Sequence, residues 1–407
     1  MTRMREAYGD VAERLLHFVE AKTTDQTGST MQVPVEDYLD AQRWQKEIDL
    51  IFKRLPLMLA FTIEMPKPGD YKALAPMGIP VLLSRGKGGT ARAFLNVCRH
   101  RAMKLVDETE GDGKGSCRAF SCPYHGWTYA SDGRLIGVAE AGTFGEVDKD
   151  AHGLIELPCQ EVAGMIFAIL TPGLDIDVPA FLGGMLDDFA ALKLENWYFH
   201  KAREMRGANW KVAYDGYLEG YHFQAAHPET VAPRTPSNRA YYEAFGPHIR
   251  LAYPQHAIVD LKDLPREEWG DRENLNYDFI RMLFPNFAMF LAPEMCQIAQ
   301  LFPGDTPDSN VTVMNYVFPQ KPDTDEALQK LDEMCDFFFD VVEKEDYLMG
   351  MRVQQGLEAQ GSGHVTFGRN ELGNQYFHRW IEHYLSQGTL PEPILRSTQT
   401  NREDNLT

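Results

Sequence analysis

The chain has 407 residues, 44% of them hydrophobic and 24% charged, and its formal net charge at pH 7 is −19. This length is too great for a lone electron carrier and fits one large or two to three ordinary domains with a packed core. The acidic balance argues against nucleic acid or an anionic membrane as the main partner. Because no apolar run is long enough to cross a bilayer and the N-terminus lacks a signal-peptide pattern, we expect a cytoplasmic protein.

The first part of the chain predicts helices followed by a β-rich region. Apolar residues recur at helical spacing in residues 6–20 and 36–52, which predicts two helices. From about Phe61 to Pro158, short apolar runs alternate with turns rich in glycine and proline, which is typical of a small all-β domain. A further buried strand is expected at AGMIFAIL, and a helix at FLGGMLDDFAALKLE.

Two short arms inside the β-rich region each carry one cysteine and one histidine. The first reads C-R-H from Cys98 to His100, and the second reads C-P-Y-H-G-W from Cys122 through His125 to Trp127. This mixture of thiolates and imidazoles suits a [2Fe–2S] cluster in which two histidines replace two cysteines on one iron. A structural zinc site, which more often pairs like ligands on each arm, and two unrelated pairs on a β-rich surface are the alternatives.

A second stretch, ANWKVAYDGYLEGYHFQAAHPET, predicts a helix that carries several chemically active side chains. Glu219 lies three residues before His222 and would share its helical face, with Asp215 on the same side. His227 follows His222 by five residues, and Pro228 disfavours helical geometry at the residue before it, so the helix is expected to open near His227. Both histidines would then reach one metal ion. A pair of core or surface histidines without a metal is the alternative.

The last third of the chain predicts a sheet and then a long helix. Residues 232–320 contain apolar or alternating runs bounded by turn residues, as in an antiparallel sheet. The helix is expected from about Asp323 to Gly356, and residues 391–407 are expected to form a polar tail. Asp346 falls on the apolar face of this helix, where a carboxylate is costly unless it is paired or binds a metal.

His222, His227 and Asp346 therefore form a candidate 2-His-1-carboxylate site, the ligand set of non-heme Fe(II) oxygenases. The choice of Asp346 over Glu343 or Glu345 rests on helical phase. A buried aspartate satisfied by hydrogen bonds is the alternative.

Taken together, these motifs resemble those of the large, catalytic subunit of the Rieske non-heme iron oxygenases, also called ring-hydroxylating oxygenase alpha subunits. The resemblance covers nearly the whole chain and comprises P-G-D-Y at 68–71, N-V-C-R-H-R at 96–101, C-P-Y-H-G-W at 122–127, N-W-K at 209–211, E-x-Y-H at 219–222 and E-D at 345–346. It implies an α+β fold, with an all-β Rieske domain and a catalytic domain whose antiparallel sheet wraps around a long C-terminal helix, a helix-grip, Bet v1-like arrangement. The implied bounds are 1–57 for N-terminal helices packed on the catalytic domain, 58–160 for the Rieske domain and 161–407 for the catalytic domain.

The resemblance also implies the role of each site residue. Cys98 and Cys122 would bind one iron of the cluster, His100 and His125 the other, and His222, His227 and Asp346 the mononuclear Fe(II). Glu219 would be the acidic bridge that links a cluster histidine of one subunit to an iron-ligand histidine of its neighbour in a ring of three subunits. Asp215 departs from the asparagine of many members, and a substrate contact or neutralisation by Lys211 would account for it.

The implied function is that of a terminal oxygenase that uses O2 and electrons from its Rieske cluster to hydroxylate an organic, aromatic substrate in hydrocarbon catabolism. Ferredoxin, a flavin reductase or both would donate the electrons, and NAD(P)H would act only through a separate reductase. The chain would form a homotrimer, either without other subunits or together with a beta subunit. A monooxygenase or oxidative demethylase on a non-ring substrate, and a pure iron–sulfur electron-transfer protein, are the alternatives. The candidate cavity walls are Phe223, Met282, Phe284, Phe287, Phe290 and Met295.

Overall fold

The computed structural model describes residues 2–271, 276–292, 295–359, 361 and 363–386. These residues group into two compact units, one formed by residues up to 48 together with those from 200 onward, and the other by residues 49–199. Residues 161–199, which the sequence analysis assigns to the catalytic domain, group with the second unit, and the functional boundaries at 57 and 160 remain a prediction. The predicted polar tail lies outside the described residues. Within the described part of the chain, no helix is long and apolar enough to span a membrane.

The unit formed by residues 49–199 is built mainly from short antiparallel strands, as the turn-rich pattern predicts. Five strands form the largest sheet, in the spatial order Glu156–Leu157, Ala91–Leu95, Val81–Arg85, Asp70–Leu74 and Lys114–Ser116. A three-stranded sheet contains Ala119–Ser121, Thr128–Ala130 and Leu135–Gly137. Another contains Cys159–Val162, Met165–Ala168 and Leu57–Phe61. The helices of this unit are Ala141–Phe144, Val178–Leu182 and Met185–Leu192.

The other unit is organised around a seven-stranded antiparallel sheet. Its strands lie in the order Tyr198–Gly207, Asn310–Phe318, Cys296–Pro303, Phe287–Leu291, Tyr277–Leu283, His248–Pro254 and Tyr241–Phe245. Consecutive strands pair in register, for example Ile280 with Phe290 and Ile298 with Asn315, so each apolar run of the sequence becomes one strand. The predicted antiparallel sheet is thus confirmed. A separate pair of strands joins Met31–Pro34 to His364–Phe367.

The N-terminal helix Thr2–Ala21 packs on one face of the large sheet. Its apolar stripe includes Val11 and Leu15, which lie in one buried cluster with Tyr277 and Phe279 of the sheet. Leu15 is fully buried, and burial of such a side chain contributes about 1.5–3 kcal/mol to stability. The sequence predicts this helix correctly because its 3.6-residue apolar period is regular.

The predicted second helix covers the expected range but is broken into Glu36–Leu39, Ala41–Glu47 and a π-helical turn at Ile48–Phe52. Asp40 caps the middle piece, since its side chain accepts a hydrogen bond from the Arg43 amide at 2.6 Å. The remaining helices of this unit are Trp210–Gly216, Phe223–Ala226, Asp325–Val341, Leu348–Glu358 and Leu372–Ser386.

The long helix near the C-terminus contains a break that the sequence does not predict. Its first part begins after Thr324, whose side chain accepts from the Ala327 amide at 3.1 Å, so the cap is Thr324 rather than Asp323. A π-helical turn at Val342–Tyr347 then joins Asp325–Val341 to Leu348–Glu358. Asp346 lies in this turn. A further helix, Leu372–Ser386, follows it in the chain and was missed by the sequence analysis.

Candidate metal centres

The two cysteine–histidine arms of the β unit are closed loops. In the first, the Cys98 amide donates to the Met103 carbonyl at 2.8 Å. In the second, the Cys122 amide donates to the Trp127 carbonyl at 2.7 Å, and Gly126 adopts a left-handed φ of 68° that a residue with a side chain disfavours. The first loop follows the strand Ala91–Leu95, and the second connects the paired strands Ala119–Ser121 and Thr128–Ala130. The paired strands thus fix the ends of the loops that carry the four candidate ligands.

The cysteines of the two arms are buried, whereas His100 and His125 are half-exposed. Cys98 and Cys122 are both buried, at 2% and 3% exposure. The Tyr129 hydroxyl oxygen accepts a hydrogen bond from the Arg99 amide at 2.9 Å. The same oxygen lies 3.3 Å from the Cys98 sulfur, so the hydroxyl can donate its proton to a Cys98 thiolate. The sequence analysis missed Tyr129, because a tyrosine seven residues after the second cysteine has no local motif to mark it.

The histidines of the arms lie side by side. The rings of His100 and His125 are 4.7 Å apart, and Trp127 stacks on His100 at 5.1 Å with an interplanar angle of 9°. The Nδ1 atom of His100 is buried without a hydrogen-bond partner among the described residues. An unsatisfied buried imidazole nitrogen is costly unless it binds a metal, so this atom fits a cluster ligand.

A single zinc ion does not fit the same residues. Four ligands at tetrahedral Zn distances of 2.0–2.3 Å lie within about 4 Å of one another. In the part of the chain that the structure describes, the only set of three or more candidate ligand side chains within 4.8 Å of one another is elsewhere, at His222, His227 and Asp346. The wider spread of the two arms agrees better with a two-iron cluster, and the ligand roles of Cys98, His100, Cys122 and His125 remain a proposal.

The second candidate centre is formed by two short helices rather than by the single helix that the sequence predicts. Trp210–Gly216 ends before Glu219, and His222 begins the next helix, Phe223–Ala226. Glu219 therefore lies in a loop and reaches His222 from there, not along a helical face. His227 ends that helix with φ −122° and ψ 48°, which confirms the opening expected before Pro228.

The three predicted iron ligands come together in this unit. The Nε2 atom of His227 lies 2.9 Å from Oδ1 of Asp346, and the Nε2 atom of His222 lies 3.5 Å from the same oxygen. All three ligand atoms lie within 4.8 Å of one another, a spacing that one ion can occupy. Their donor set, two neutral imidazoles and one carboxylate, suits Fe(II). The arrangement fits the metal, and the ligand assignment is a proposal.

The electrostatics of the triad favour a cation between its members. Burial opposes protonation of His222, but Asp346 and Glu219 outweigh it and raise the pKa of His222 to about 10. Burial likewise opposes charge on His227, while Asp346 and Glu345 raise its pKa above the ordinary value. For Asp346, burial is outweighed by hydrogen bonds from both histidines, which hold the pKa of the carboxyl below its usual range. The carboxylates thus demand positive charge, which a metal ion supplies in place of protons.

Two glutamates hold the outer nitrogens of the histidines. Glu219 accepts from Nδ1 of His222 and from the backbone amides of Tyr221 and His222. Glu345 accepts from Nδ1 of His227 at 2.5 Å. The sequence analysis considered Glu345 only as a rival ligand for the metal and rejected it, so its contact with the outer face of His227 was missed.

Asp215 has a different environment from the one expected. Its carboxylate is hydrogen-bonded to the Tyr38 hydroxyl and to Nε2 of His378, both at 3.0 Å, and to the Asn374 amide at 3.2 Å. Neutralisation by Lys211, one of the two explanations offered for Asp215, is wrong, because Lys211 binds both oxygens of Glu47 at 2.6 Å. The other explanation, a substrate contact, stays a prediction. Asp215 lines a cavity of about 450 Å³ that also borders His222 and Asp346.

A second cavity, of about 220 Å³, borders all three members of the triad and provides space for a substrate. Aromatic side chains make up much of its wall, namely Tyr217, Phe223, Tyr253, Phe290, Phe337 and Phe338. Of the predicted wall residues, Phe223 and Phe290 are confirmed. Met282, Phe284, Phe287 and Met295 are buried but do not line this cavity, because periodicity identifies buried residues without identifying which of them face a cavity.

One charged pair interrupts the aromatic wall. Arg234 donates to both oxygens of Asp278 at 3.1 Å, and Gln255 donates to the same carboxylate at 3.3 Å. Burial raises the pKa of Asp278, and the neighbouring guanidinium opposes this effect. Arg234 is 45% exposed and lies at the rim, whereas Asp278 is 10% exposed. Neither residue carries a sequence motif, so both were missed.

Comparison with known proteins defines the class of the chain. The family model described as Rieske [2Fe-2S] domain matches residues 56–148, and the one described as Ring hydroxylating alpha subunit (catalytic domain) matches residues 194–387. The chain belongs to the Rieske non-heme iron oxygenases and is a large, catalytic subunit of that family. It is therefore an oxidoreductase that incorporates O2, with a Rieske cluster and a mononuclear iron, rather than a pure electron carrier.

Relatives match this chain either over most of its length or over about half of it. The carnitine monooxygenase oxygenase subunit of Acinetobacter baumannii is 26% identical over 385 residues, which cover 85% of this chain and 93% of the relative. The glycine betaine monooxygenase oxygenase subunit of Chromohalobacter salexigens is 33% identical over 204 residues, 49% of this chain and 44% of the relative.

Solved structures confirm the α+β fold. The quaternary ammonium Rieske monooxygenase CntA, in complex with an inhibitor, matches with a TM-score of 0.76 at 22% identity over 88% of this chain and 96% of that one. Naphthalene 1,2-dioxygenase from Rhodococcus sp. matches with a TM-score of 0.71 at 19% identity over 94% and 99%. Members of the family form oligomers and receive electrons from a ferredoxin or a reductase.

Proposed function

We propose that this chain hydroxylates a C–H bond of a small N-methylated ammonium carboxylate, a substrate without an aromatic ring. The expectation of aromatic hydrocarbon catabolism finds no support, because the relatives that match most of the chain are named for carnitine. A relative that matches half of the chain is named for glycine betaine. The non-ring alternative of the sequence analysis is therefore the better hypothesis.

The observation that carries this proposal is the combination of aromatic rings and a guanidinium in one cavity beside the triad. Aromatic faces attract quaternary ammonium groups with about 0.5–2 kcal/mol each, and several such rings line the cavity. The Arg234 guanidinium presents five N–H donors in a fixed fork, and its hydrogen bonds with Asp278 use only one nitrogen. A substrate carboxylate at this rim would gain charge-assisted hydrogen bonds, whereas a hydrocarbon would gain nothing from them.

Each part of the chain has a distinct role in this reaction. When bound, the cluster supplies single electrons and the mononuclear iron binds and activates O2. His222, His227 and Asp346 hold that iron beside the cavity, and Glu219 fixes the orientation of His222 through its Nδ1 atom. The aromatic walls exclude water and orient the substrate. In the reaction, one oxygen atom of O2 is inserted into a C–H bond and the other is released as water, and two electrons and two protons are consumed.

We further propose that the chain assembles as a homotrimer, with or without a beta subunit, and that Glu219 bridges the two metal centres across a subunit boundary. The position of Glu219 supports this role, because it already binds one iron-ligand histidine and keeps carboxylate lone pairs for a second imidazole. A ferredoxin, a flavin reductase or both would deliver the electrons. The cytoplasmic location predicted from the sequence remains a prediction.

The substrate class is tested by single turnover of the chemically reduced holoenzyme with matched compounds. Glycine betaine and carnitine carry both a quaternary ammonium and a carboxylate, choline carries the cation alone, and toluene carries only a ring. We expect oxidised product from the compounds that carry both groups and little from the other two. Oxidation of toluene without oxidation of any ammonium compound would restore the aromatic hypothesis.

The role of the guanidinium is tested separately by substrate binding. Arg234→Gln should weaken binding of glycine betaine by about 10- to 100-fold, the value of a hydrogen bond to a charged group, and leave choline binding unchanged. Arg234→Lys keeps the charge next to Asp278 and should lose less. Arg239→Gln is the matched control, because the Arg239 side chain donates to the Asn238 carbonyl at 2.6 Å and does not line the cavity. Equal losses for glycine betaine and choline would show that Arg234 acts through structure and not through the carboxylate.

A further inference from the structure

The two histidines of the proposed iron site share one pattern of contacts. Each turns its Nε2 atom to Asp346, at 3.5 Å for His222 and 2.9 Å for His227. Each gives its Nδ1 atom to a glutamate, Glu219 for His222 and Glu345 for His227. The nitrogens that face the metal position are thus separated from the nitrogens that fix the rings.

The π-helical turn at Val342–Tyr347 explains how neighbouring residues serve both nitrogens of His227. Glu345 and Asp346 are consecutive, and in a regular α-helix consecutive side chains diverge by about 100°. In this turn their carboxylates reach the two edges of one imidazole, Glu345 at Nδ1 and Asp346 at Nε2. Single π turns within α-helices are frequent at functional sites because they re-aim side chains in this way.

Glu345 also fixes the loop that follows His227. The Thr230 hydroxyl donates to the same Glu345 oxygen at 2.6 Å. The amides of Val231 and Ala232 return to the His227 carbonyl at 3.3 and 3.0 Å, which closes this loop on the histidine. His227 is 2% exposed, so its ring has no water shell to replace a lost protein contact. One carboxylate therefore holds both the ring and its loop against the long helix.

We propose that Glu345 is a positioning residue for His227 in the oxygenase reaction. By accepting the Nδ1–H proton it selects the tautomer whose Nε2 lone pair faces the metal position, and it raises the basicity of that nitrogen. Glu345 does for His227 what Glu219 does for His222. The inference rests on the proposed iron site of His222, His227 and Asp346, and it assigns Glu345 no contact with the metal.

The test measures metal affinity rather than turnover. Protein with an intact cluster and a depleted mononuclear site is titrated with Co(II) without oxygen, and the dissociation constant is read from the Co(II) absorption. Glu345→Ala should bind Co(II) about 10- to 100-fold more weakly, the usual effect of losing such a partner. Glu345→Gln keeps an acceptor oxygen but loses the charge, and should bind Co(II) about five- to tenfold more weakly. Glu343→Ala is the matched control, because Glu343 is an exposed glutamate in the same π turn.

A second readout separates positioning from general structural support. The proton NMR spectrum of the Co(II)-loaded protein should contain an exchangeable ring N–H signal from His227, protected by its hydrogen bond to Glu345. This signal should persist in Glu345→Gln and Glu343→Ala and vanish in Glu345→Ala. Thr230→Val should retain it, because the hydroxyl binds the carboxylate and not the ring.

Each outcome supports or overturns a particular statement. If His227→Ala binds Co(II) as tightly as wild type, the proposed iron site is wrong and the role of Glu345 falls with it. If His227→Ala loses Co(II) while Glu345→Ala keeps both wild-type affinity and the ring signal, only the role of Glu345 is wrong. If Glu345→Ala does not fold, Glu345→Gln decides, and unchanged affinity in that variant overturns the proposal.

Discussion

The ammonium group of Lys211 lies 2.6 Å from both carboxylate oxygens of Glu47, and both side chains are buried, at 1% and 0% exposure. Trp210 donates its indole N–H to the same carboxylate at 2.7 Å. Burial lowers the pKa of Lys211, and Glu47 opposes this effect. The pair ties the helix that begins the iron-site segment to the N-terminal part of the chain.

Removal of one partner of this pair should destabilise the protein strongly. Glu47→Ala leaves Lys211 buried and uncompensated, which typically costs about 3–5 kcal/mol of unfolding free energy. The double variant Glu47→Leu, Lys211→Met should recover only part of this loss, because it removes the uncompensated charge but leaves the Trp210 indole N–H without its acceptor. Chemical denaturation with fluorescence detection measures all three proteins. A single variant as stable as wild type would contradict the importance of the pair.

A buried carboxylate in the β unit should make stability depend on pH. Glu64 is 1% exposed and binds Lys72 at 2.9 Å and Lys114 at 2.7 Å. Burial opposes its ionisation, but the two lysines outweigh this effect and hold its pKa below the ordinary value of 4.5. Because the folded pKa is the lower one, Glu64 stabilises the protein above pH 4.5, and this contribution is lost as the pH falls through the folded pKa.

Glu64→Gln should therefore be less stable than wild type at neutral pH, and the difference in unfolding free energy should decrease progressively below pH 4.5. Glu156→Gln provides the control, since Glu156 pairs with Arg92 at the surface and its loss should change stability by about 0.5 kcal/mol or less. A difference between wild type and Glu64→Gln that stays constant with pH would show that the lysines do not favour the ionised form.

The cluster potential should respond to Tyr129. Its hydroxyl points to the Cys98 sulfur at 3.3 Å, and a hydrogen bond to a cluster sulfur stabilises the more negative, reduced state. Tyr129→Phe should lower the reduction potential, as measured by spectroelectrochemical titration, while cluster content stays unchanged. Tyr71→Phe is the matched control, because Tyr71 packs in the same core through its ring contact with Phe120. An unchanged reduction potential in Tyr129→Phe would show that the Tyr129 hydroxyl does not donate its proton to the Cys98 sulfur.

Loss of Asp346 should empty the mononuclear site and spare the cluster. Wild type is expected to contain about three irons and two acid-labile sulfides per chain, and Asp346→Ala about two of each. Asp340→Ala, which removes an exposed partner of Lys344 on the same helix, should keep the full iron content. A fully loaded Asp346→Ala variant would mean that another carboxylate binds the iron.

Loss of Glu219 should separate metal binding from turnover. With Fe(II) supplied in enough excess to offset weaker metal binding, Glu219→Ala is expected to have both centres occupied and the cluster reducible, while turnover falls by about 100-fold or more because the route between centres is lost. Rapid-mixing measurements of cluster oxidation by O2 in the presence of substrate report the electron transfer from the cluster to the mononuclear centre. Glu229→Ala, at an exposed position close in sequence, should behave as wild type. Normal turnover in Glu219→Ala would refute the bridge.

The sequence reveals most of the fold and predicts a complete ligand set, because both leave local patterns. Regular apolar periods mark the helix Thr2–Ala21 and the central strands, and the spacing of Cys98 and His100 carries its own chemistry. Helical phase predicts Asp346 as the carboxylate of the site, and the structure brings it next to His222 and His227. The phase is not maintained through the helix, because Met349 and Val353, expected on the buried face, are exposed at 39% and 48%. The π turn has no sequence signature, since it depends on which tertiary contacts the wider turn allows.

The features that the sequence does not reveal are contacts between residues distant in the chain. Glu345 meets His227 across 118 positions and Lys211 meets Glu47 across 164, and the motifs that contain Glu345 and Lys211 do not indicate these partners. Lys211 is assigned wrongly to Asp215 because proximity of four residues is visible in a sequence and a distant buried carboxylate is not. The rim pair of Arg234 and Asp278 is hidden for the same reason.

The apolar stripe of Thr2–Ala21 has a consequence for synthesis of the chain. Val11 and Leu15 pack against Tyr277 and Phe279, and all of residues 49–199 are translated before those strands exist. At typical translation rates of 5–20 residues per second, the stripe waits on the order of tens of seconds for its partner. The apolar stripe of the nascent N-terminal segment is therefore exposed to the ribosome surface and to chaperones during this time. All strands of the three sheets formed by residues 49–199 have by then been translated.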